Sequence, residues 1–313
     1  MANYVGIQTQ IRRNNFRSVL LLLGFPLLVL AAVYVFLMLT LPYEGQIDHS
    51  RVSEAFVQVI PGVLIAVAIW FAIAFLFHST MINKAAGSRT LERKENMRIY
   101  NLVENLCMSK GMKMPRVNII EDQALNAFAS GINEKTYTVT LTRGIIEKLN
   151  DEELEGVIAH ELMHIRNRDV RLLIISIIFV GIFSFVAQIL FRSMIYGGGR
   201  RRGKGDNRAL LIAMVIAFVA FLLSMVFRFA ISRKREYMAD SGAAEMTKKP
   251  RALASALRKI SGNYRVQTVK SDDVAELFIE NRPDRSSGLM AAITGLFATH
   301  PPIEKRIKIL EQF

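Results

Sequence analysis

The chain has 313 residues, 51% of them hydrophobic, with 21% charged residues and a mean hydropathy of +0.27. Hydropathy that high beside so many charges suggests a protein that is part membrane and part soluble; the alternative is a soluble α/β enzyme with a very apolar core, and uninterrupted apolar runs decide between them. The formal charge of +13 is spread along the chain without aromatic interleaving, so anionic lipid headgroups account for it more simply than nucleic acid, which is not expected as a partner.

Residues 1–17 form a short N-terminus expected in the cytoplasm, with Arg12, Arg13 and Arg17 just ahead of the first apolar run. Residues 18–40 and 55–77 contain no charged residue. Each reaches the roughly 20 residues an α-helix needs to cross the hydrocarbon core. The first run is too long for a secretory leader, and no small-residue cleavage site follows it closely. Residues 18–77 are therefore expected to be two transmembrane helices joined by a short external loop. That loop carries Glu44, Asp48 and Glu54 against Arg51 alone. Positive flanks stay on the cytoplasmic side, so the N-terminus is expected inside.

Residues 78–171 read as the first part of a soluble α/β unit on the cytoplasmic side. Met97, Leu102, Val103 and Leu106 have helical spacing within 91–110, and Gly111 is placed to end that helix. Cys107 lies in the same stretch. As the only cysteine it excludes an internal disulfide framework and a cysteine-rich metal site. Residues 116–120 read as a strand, and 127–130 and 137–141 as a pair turning at 131–136. Asn150 is placed to cap a helix whose first turn holds Asp151, Glu152 and Glu153, where the helix dipole favours acids.

That helix carries His160-Glu161-Leu162-Met163-His164. Positions i and i+4 share a helix face, so both imidazoles can reach one cation. Glu161 sits beside the first ligand and can accept a proton from a water activated at the metal, then pass it to a leaving amine. Two histidines sharing a solvated face would give the same pattern by chance. A catalytic zinc wants a third protein ligand and one open position. His49, assigned to the outer side, and His78, at the end of the second span, are poor candidates.

Residues 172–191 and 209–227 are again uncharged and define a hydrophobic hairpin over 172–231. Its loop holds Arg192, Arg200, Arg201, Arg202, Lys204 and Arg208, which runs against the inside bias if both helices cross. Two readings remain, a hairpin that crosses despite this loop or one that is shallow or buried in protein; the lengths favour crossing. The Gly/Arg-rich part, residues 197–205, is expected to be mobile and to meet lipid headgroups.

Residues 232–313 are the second part of the soluble domain. His164 lies about eight residues before the third span and Glu236 about five after the fourth. At 1.5 Å per residue, antiparallel helices would hold them at similar heights, which makes Glu236 the candidate third ligand. Asp240, four residues on, shares its face and can accept the second ring N–H of a liganding histidine. A surface ion pair with Arg233 or Lys234 is the plainer reading for both acids, set aside here because of the histidine motif. Asp169 is a weaker candidate of the same kind, a pair with Arg166 or Arg168 being the alternative.

The motif at His160–His164, the hydrophobic hairpin, Glu236-x-x-x-Asp240 and Thr299-His300-Pro301-Pro302 before a basic terminal helix together resemble the HtpX-type membrane zinc metalloproteases, bacterial relatives of the CAAX prenyl endopeptidases. The resemblance spans essentially the whole chain. It implies an α-rich integral membrane protein with about four transmembrane helices and a zincin-like α+β cytoplasmic domain with a small edge-stranded sheet. It further implies one Zn2+ per chain on His160, His164 and Glu236, with Glu161 as catalytic base. Asn126, Ala127, Phe128 and Ala129 match a family segment on an edge strand that can hold substrate backbone, although an ordinary strand before a Gly turn reads the same. His300 resembles a histidine near the zinc that could stabilise an oxyanion, and a structural helix-entry role fits it nearly as well. The implied activity is quality-control cleavage of misfolded or damaged membrane proteins at the cytoplasmic face of the bacterial inner membrane under stress. The alternatives are a catalytically silent zinc-binding scaffold and a narrower processing protease of CAAX type. Self-cleavage and homo-oligomerisation are open.

Overall fold

The computed structural model describes residues 7–41, 48–196, 204–229, 234–267, 269, 274, 277–280 and 301–313. Most of the glycine- and arginine-rich loop (197–203) and His300 lie outside the described residues. In chain order the elements are α1 (Ile7–Thr40), α2 (His49–Ala86), β1 (Ser88–Thr90), α3 (Met97–Ser109), β2 (Arg116–Ile120), β3 (Ala127–Ser130) and β4 (Thr138–Thr142). There follow α4 (Arg143–Lys148), α5 (Asp151–Arg166), α6 (Asp169–Tyr196), α7 (Lys204–Phe229), α8 (Lys234–Thr247), α9 (Pro250–Gly262) and α10 (Ile303–Leu310). They fall into two compact units. One comprises Met1–Asn15, His78–Ile174 and Ile231–Phe313, the other Phe16–Phe77 and Ile175–Ala230.

The second unit is built from apolar helices. Phe25 of α1 stacks on Phe179 of α6 with ring centroids 4.3 Å apart and meets Phe183 at 5.1 Å. Val67 of α2 and Ala220 of α7 complete that buried cluster. The outward faces are equally apolar: Leu23, Leu27 and Leu76 are 67%, 66% and 72% exposed. Apolar surface this extensive requires a nonaqueous neighbour, which a bilayer supplies. Among the described residues, Ile11–Thr40, His49–Ala86 and Asp169–Ser193 are long and apolar enough to cross a membrane. Arg208–Leu223 in α7 is a shorter apolar stretch. Pro26 and Pro61 sit inside α1 and α2, which membrane helices tolerate.

In the first unit the strands form one mixed sheet in the order β1-β2-β4-β3. The expected pair β3 and β4 is antiparallel, with Phe128 opposite Thr140. Gly131 turns out of β3 at φ 109, and a Cβ there would press on the Thr136 carbonyl. The parallel pairing of β2 with β4 and the antiparallel addition of β1 join segments far apart in sequence. α3 starts at Met97, later than the 91–110 spacing suggests. Leu91 N–H donates to the Val117 carbonyl at 2.9 Å, so this part of the chain stays with the sheet. The Asn96 side chain then accepts from Ile99 N–H to start the helix.

α5 is the central helix. Asn150 and Glu153 form a reciprocal capping box at its start. The Glu153 carboxylate also accepts from Lys259 Nζ and Ser255 Oγ, both at 2.7 Å, which ties α5 to α9. Leu154, Val157, Ile158 and Leu162 are fully buried, as are Ala254 and Leu257 of α9. α8 presents Ala239, Gly242 and Ala243 to the interior. At Gly242 the place of a Cβ is taken by the Met163 side chain, so α8 packs closely on α5. That close approach carries Glu236 to the two histidines.

Candidate metal centre

One turn of α5 sets His160 above His164, with perpendicular rings 4.7 Å apart. Their Nε2 atoms are 3.1 Å apart. Glu236, in the first turn of α8, brings Oε2 to 3.6 Å from His160 Nε2 and Oε1 to 3.6 Å from His164 Nε2. A tetrahedral zinc with bonds of about 2.0–2.1 Å needs its ligand atoms about 3.3–3.4 Å apart. The two Nε2 atoms and the Glu236 carboxylate, one oxygen of which approaches each histidine, are spaced on that scale. Two imidazoles and a carboxylate also suit zinc chemically, and together they form a metal-capable group.

Each histidine is aimed from its far side. His160 Nδ1 lies 2.9 Å from Asp240 Oδ1, and His164 Nδ1 lies 3.2 Å from Asp169 Oδ2. With Nδ1 donating to a carboxylate, each ring keeps its Nε2 lone pair for the shared position. Both acids named in the sequence thus touch a histidine ring, and each does so from a different helix.

Arg306 is the functional side chain that sequence reading missed. It is fully buried in α10 and forks onto Asp240, donating from Nε to Oδ2 at 2.9 Å and from Nη2 to Oδ1 at 2.8 Å. Nη2 also lies 3.3 and 3.5 Å from the two ring nitrogens of His160, and Nη1 donates to the Ile279 carbonyl at 3.1 Å. The signal was present in the sequence. Ile303, Arg306 and Leu310 fall on one face of a short amphipathic helix, so an arginine stands in the stripe that is buried.

Glu161 points its carboxylate into the same interior and is 2% exposed. It accepts a backbone hydrogen bond from Ala129 of β3, while Oε1 has no hydrogen-bond partner among the described residues. Burial raises its pKa, opposed by the neighbouring His160 and His164. Burial also works against ionising Asp240, but Arg306 and His160 outweigh it and hold that carboxyl down at about 2. For His164, burial disfavours the charged ring, yet the Glu236 and Asp169 carboxylates carry its pKa up to about 10. Four buried carboxylates, Glu161, Glu236, Asp169 and Asp240, stand around two imidazoles, and the Arg306 guanidinium lies 2.8 Å from Asp240 and 3.7 Å from Glu236. Buried carboxylates gathered around two imidazoles are a setting that suits a divalent cation.

The β3 edge runs beside the base. Asn126 directs its carbonyl to Thr142 N–H of β4, so Ala127 and Ala129 turn theirs outward. The edge strand that the resemblance implies is partly covered at its Ala127 end. Ile279 N–H donates to the Ala127 carbonyl at 2.8 Å, and Phe278 bridges Phe128 antiparallel with rings 4.8 Å apart. The Asn126 side-chain amide secures this addition by donating to the Glu280 and Tyr264 carbonyls, both at 2.8 Å.

A sequence profile described as "Peptidase family M48" matches residues 93–313. Similar proteins include a "Protease HtpX homolog" of Bacteroides fragilis, 58% identical over 320 residues and covering 99% of each chain. One of Tropheryma whipplei is 38% identical over 252 residues, 80% of this chain and 84% of that relative. One of Thermoanaerobacter pseudethanolicus is 39% identical over 296 residues, 86% and 97% of the two. Among solved structures, the crystal structure of S. mikatae Ste24p aligns with TM-score 0.49 and 17% identity, over 98% of this chain and 66% of that one.

Proposed function

The chain belongs to peptidase family M48 as an HtpX-type membrane metalloprotease, and from that premise we propose that it is a zinc endopeptidase cutting misfolded or damaged membrane proteins at the cytoplasmic face of the bacterial inner membrane. The observation that carries this reading is the triangle of His160 Nε2, His164 Nε2 and a Glu236 carboxylate oxygen beside the buried Glu161 carboxylate. Three protein ligands leave one coordination position for chemistry, whereas a structural zinc site is closed by four. A zinc ion held by these three residues supplies Lewis acidity, lowering the pKa of water and polarising a carbonyl.

The chain's own groups do the rest. Glu161 takes a proton from the attacking water and delivers it to the leaving amine. Its raised pKa favours holding that proton between the two steps. Asp240 and Asp169 fix the imidazole tautomers, and Arg306 keeps Asp240 ionised. A substrate strand added to the β3 edge meets the outward carbonyl of Ala129, next to the base, and exchanges with residues 277–280 at Ala127. Backbone pairing reads little sequence, which suits a protease that meets many damaged proteins. The positive flanks of the first span, Arg12, Arg13 and Arg17, support a cytoplasmic site.

The test compares two substrates on detergent-purified protein. An unmodified misfolded membrane protein is expected to be cleaved, and a short prenylated CAAX peptide to be cut at least tenfold more slowly. Cleavage confined to the prenylated peptide would replace general quality control with a narrow processing role.

A further inference from the structure

The side-chain amide of Asn14 ties the metal centre to the first helix of the chain. Asn14 of α1 is completely buried. Its Nδ2 donates to Asp169 Oδ1 at 2.7 Å and to the main-chain carbonyl of Asn167 at 2.9 Å. The other oxygen of the same carboxylate, Asp169 Oδ2, lies 3.2 Å from His164 Nδ1. A continuous path thus runs from Asn14 through Asp169 to His164, whose Nε2 faces His160 and Glu236. Asn14 acts where the chain passes from α5 to α6. Asn167 ends α5, and Arg168 takes a left-handed conformation at φ 60 before Asp169 opens α6. Asn15, the next residue of α1, accepts from Arg168 Nη1 at 3.0 Å, so two successive asparagines hold this joint.

The chemistry of the contact suits an amide. A carboxylate buried to 1% exposure needs a donor on each oxygen. His164 serves one oxygen of Asp169 and Asn14 the other. A neutral donor satisfies the second oxygen while leaving the carboxylate charge to act on the imidazole. A lysine or arginine in its place would draw that charge away from the ring. Resting on the metal reading above, we propose that Asn14 is a positioning residue for metal binding: it fixes the Asp169 carboxylate so that His164 presents Nε2 to the metal. The helix that leads into the membrane therefore takes part in setting zinc affinity.

The experiment measures zinc affinity by chelator competition on the full-length protein in detergent, for wild type, Asn14→Ala, Asn14→Leu, Asp169→Ala and the two Asn14/Asp169 double variants. Asn14→Leu keeps the branched shape, fills the space and removes the donor, so it covers the case in which a cavity at Asn14→Ala unfolds the joint. Loss of such an outer partner is expected to weaken zinc by about tenfold. In the Asp169→Ala background, where the carboxylate is gone, the same substitutions are expected to change affinity by less than about twofold, as coupled residues do. Melting of the metal-free protein is read for the same variants: positioning lowers zinc affinity in Asn14→Leu beyond any change in that melting, whereas mere packing lowers the two together. Unchanged zinc affinity in Asn14→Leu, or an equal loss with and without Asp169, overturns the inference while wild type still binds one zinc. Absence of zinc from wild type overturns the metal reading as well.

Discussion

Glu161→Gln is expected to abolish peptide-bond cleavage while the protein stays folded and keeps its metal. The substitution preserves shape, and the side-chain oxygen of Gln can still accept from Ala129 N–H, so the packing around this 2% exposed residue is retained. What disappears is the ability to take a proton. General acid–base groups contribute on the order of 10²–10⁴-fold, and the loss should reach at least that range. It should fall on kcat rather than on substrate binding, because a substrate on the β3 edge meets main-chain groups that Gln does not alter. Casein cleavage under saturating substrate, read beside zinc content, checks this. Cleavage above about a tenth of wild type would remove Glu161 from the reaction, and loss of zinc would make it a ligand instead of a base.

Arg306→Leu is expected to destabilise the soluble unit by about 3–5 kcal/mol, the scale for breaking a buried ion pair from one side. Arg306 forks onto Asp240 with two bonds under 3 Å, at 2.9 and 2.8 Å, and also serves the Ile279 carbonyl. Removing it leaves the Asp240 carboxylate with the His160 ring as its remaining partner among these contacts. The Asp240 pKa then rises from its present value of about 2 towards the neutral acid. A protonated Asp240 no longer orients His160 as a carboxylate does, so zinc binding should weaken together with stability. Arg306→Lys restores the charge but not the planar fork, and should recover only part of the loss. Thermal melting of the three proteins in one detergent checks the order, wild type above Arg306→Lys above Arg306→Leu. A melting point for Arg306→Leu within a degree or two of wild type would show that this buried pair carries no such weight.

Local features of the fold were readable because local physics sets them. The acid-rich start of α5 after Asn150, the pairing of 127–130 with the strand after the Gly131 turn, and the shared face of His160 and His164 all follow from residues close in sequence. Glu236 was legible as a partner of the histidines because it and His164 flank two apolar runs that read in sequence as a hairpin. Contacts without such a constraint were hidden. Nothing near Asn14 announces Asp169, which is 155 residues away. The addition of Phe278 and Ile279 to the edge of β3 joins a strand to an irregular segment with no alternation of its own. Arg306 lay in plain view in a buried stripe, but a basic residue in a basic terminal helix reads as solvated until its partner Asp240 is seen.

His160, His164 and Glu236 are expected to hold one catalytic zinc. The most direct measurement is metal content of purified wild type, with casein cleavage followed as zinc is stripped by a chelator and then restored. About one zinc per chain, activity lost on stripping and regained with zinc, and neither zinc nor activity in Glu236→Ala is the expected result. Folded wild type that cleaves casein equally well after its metal is removed would contradict it.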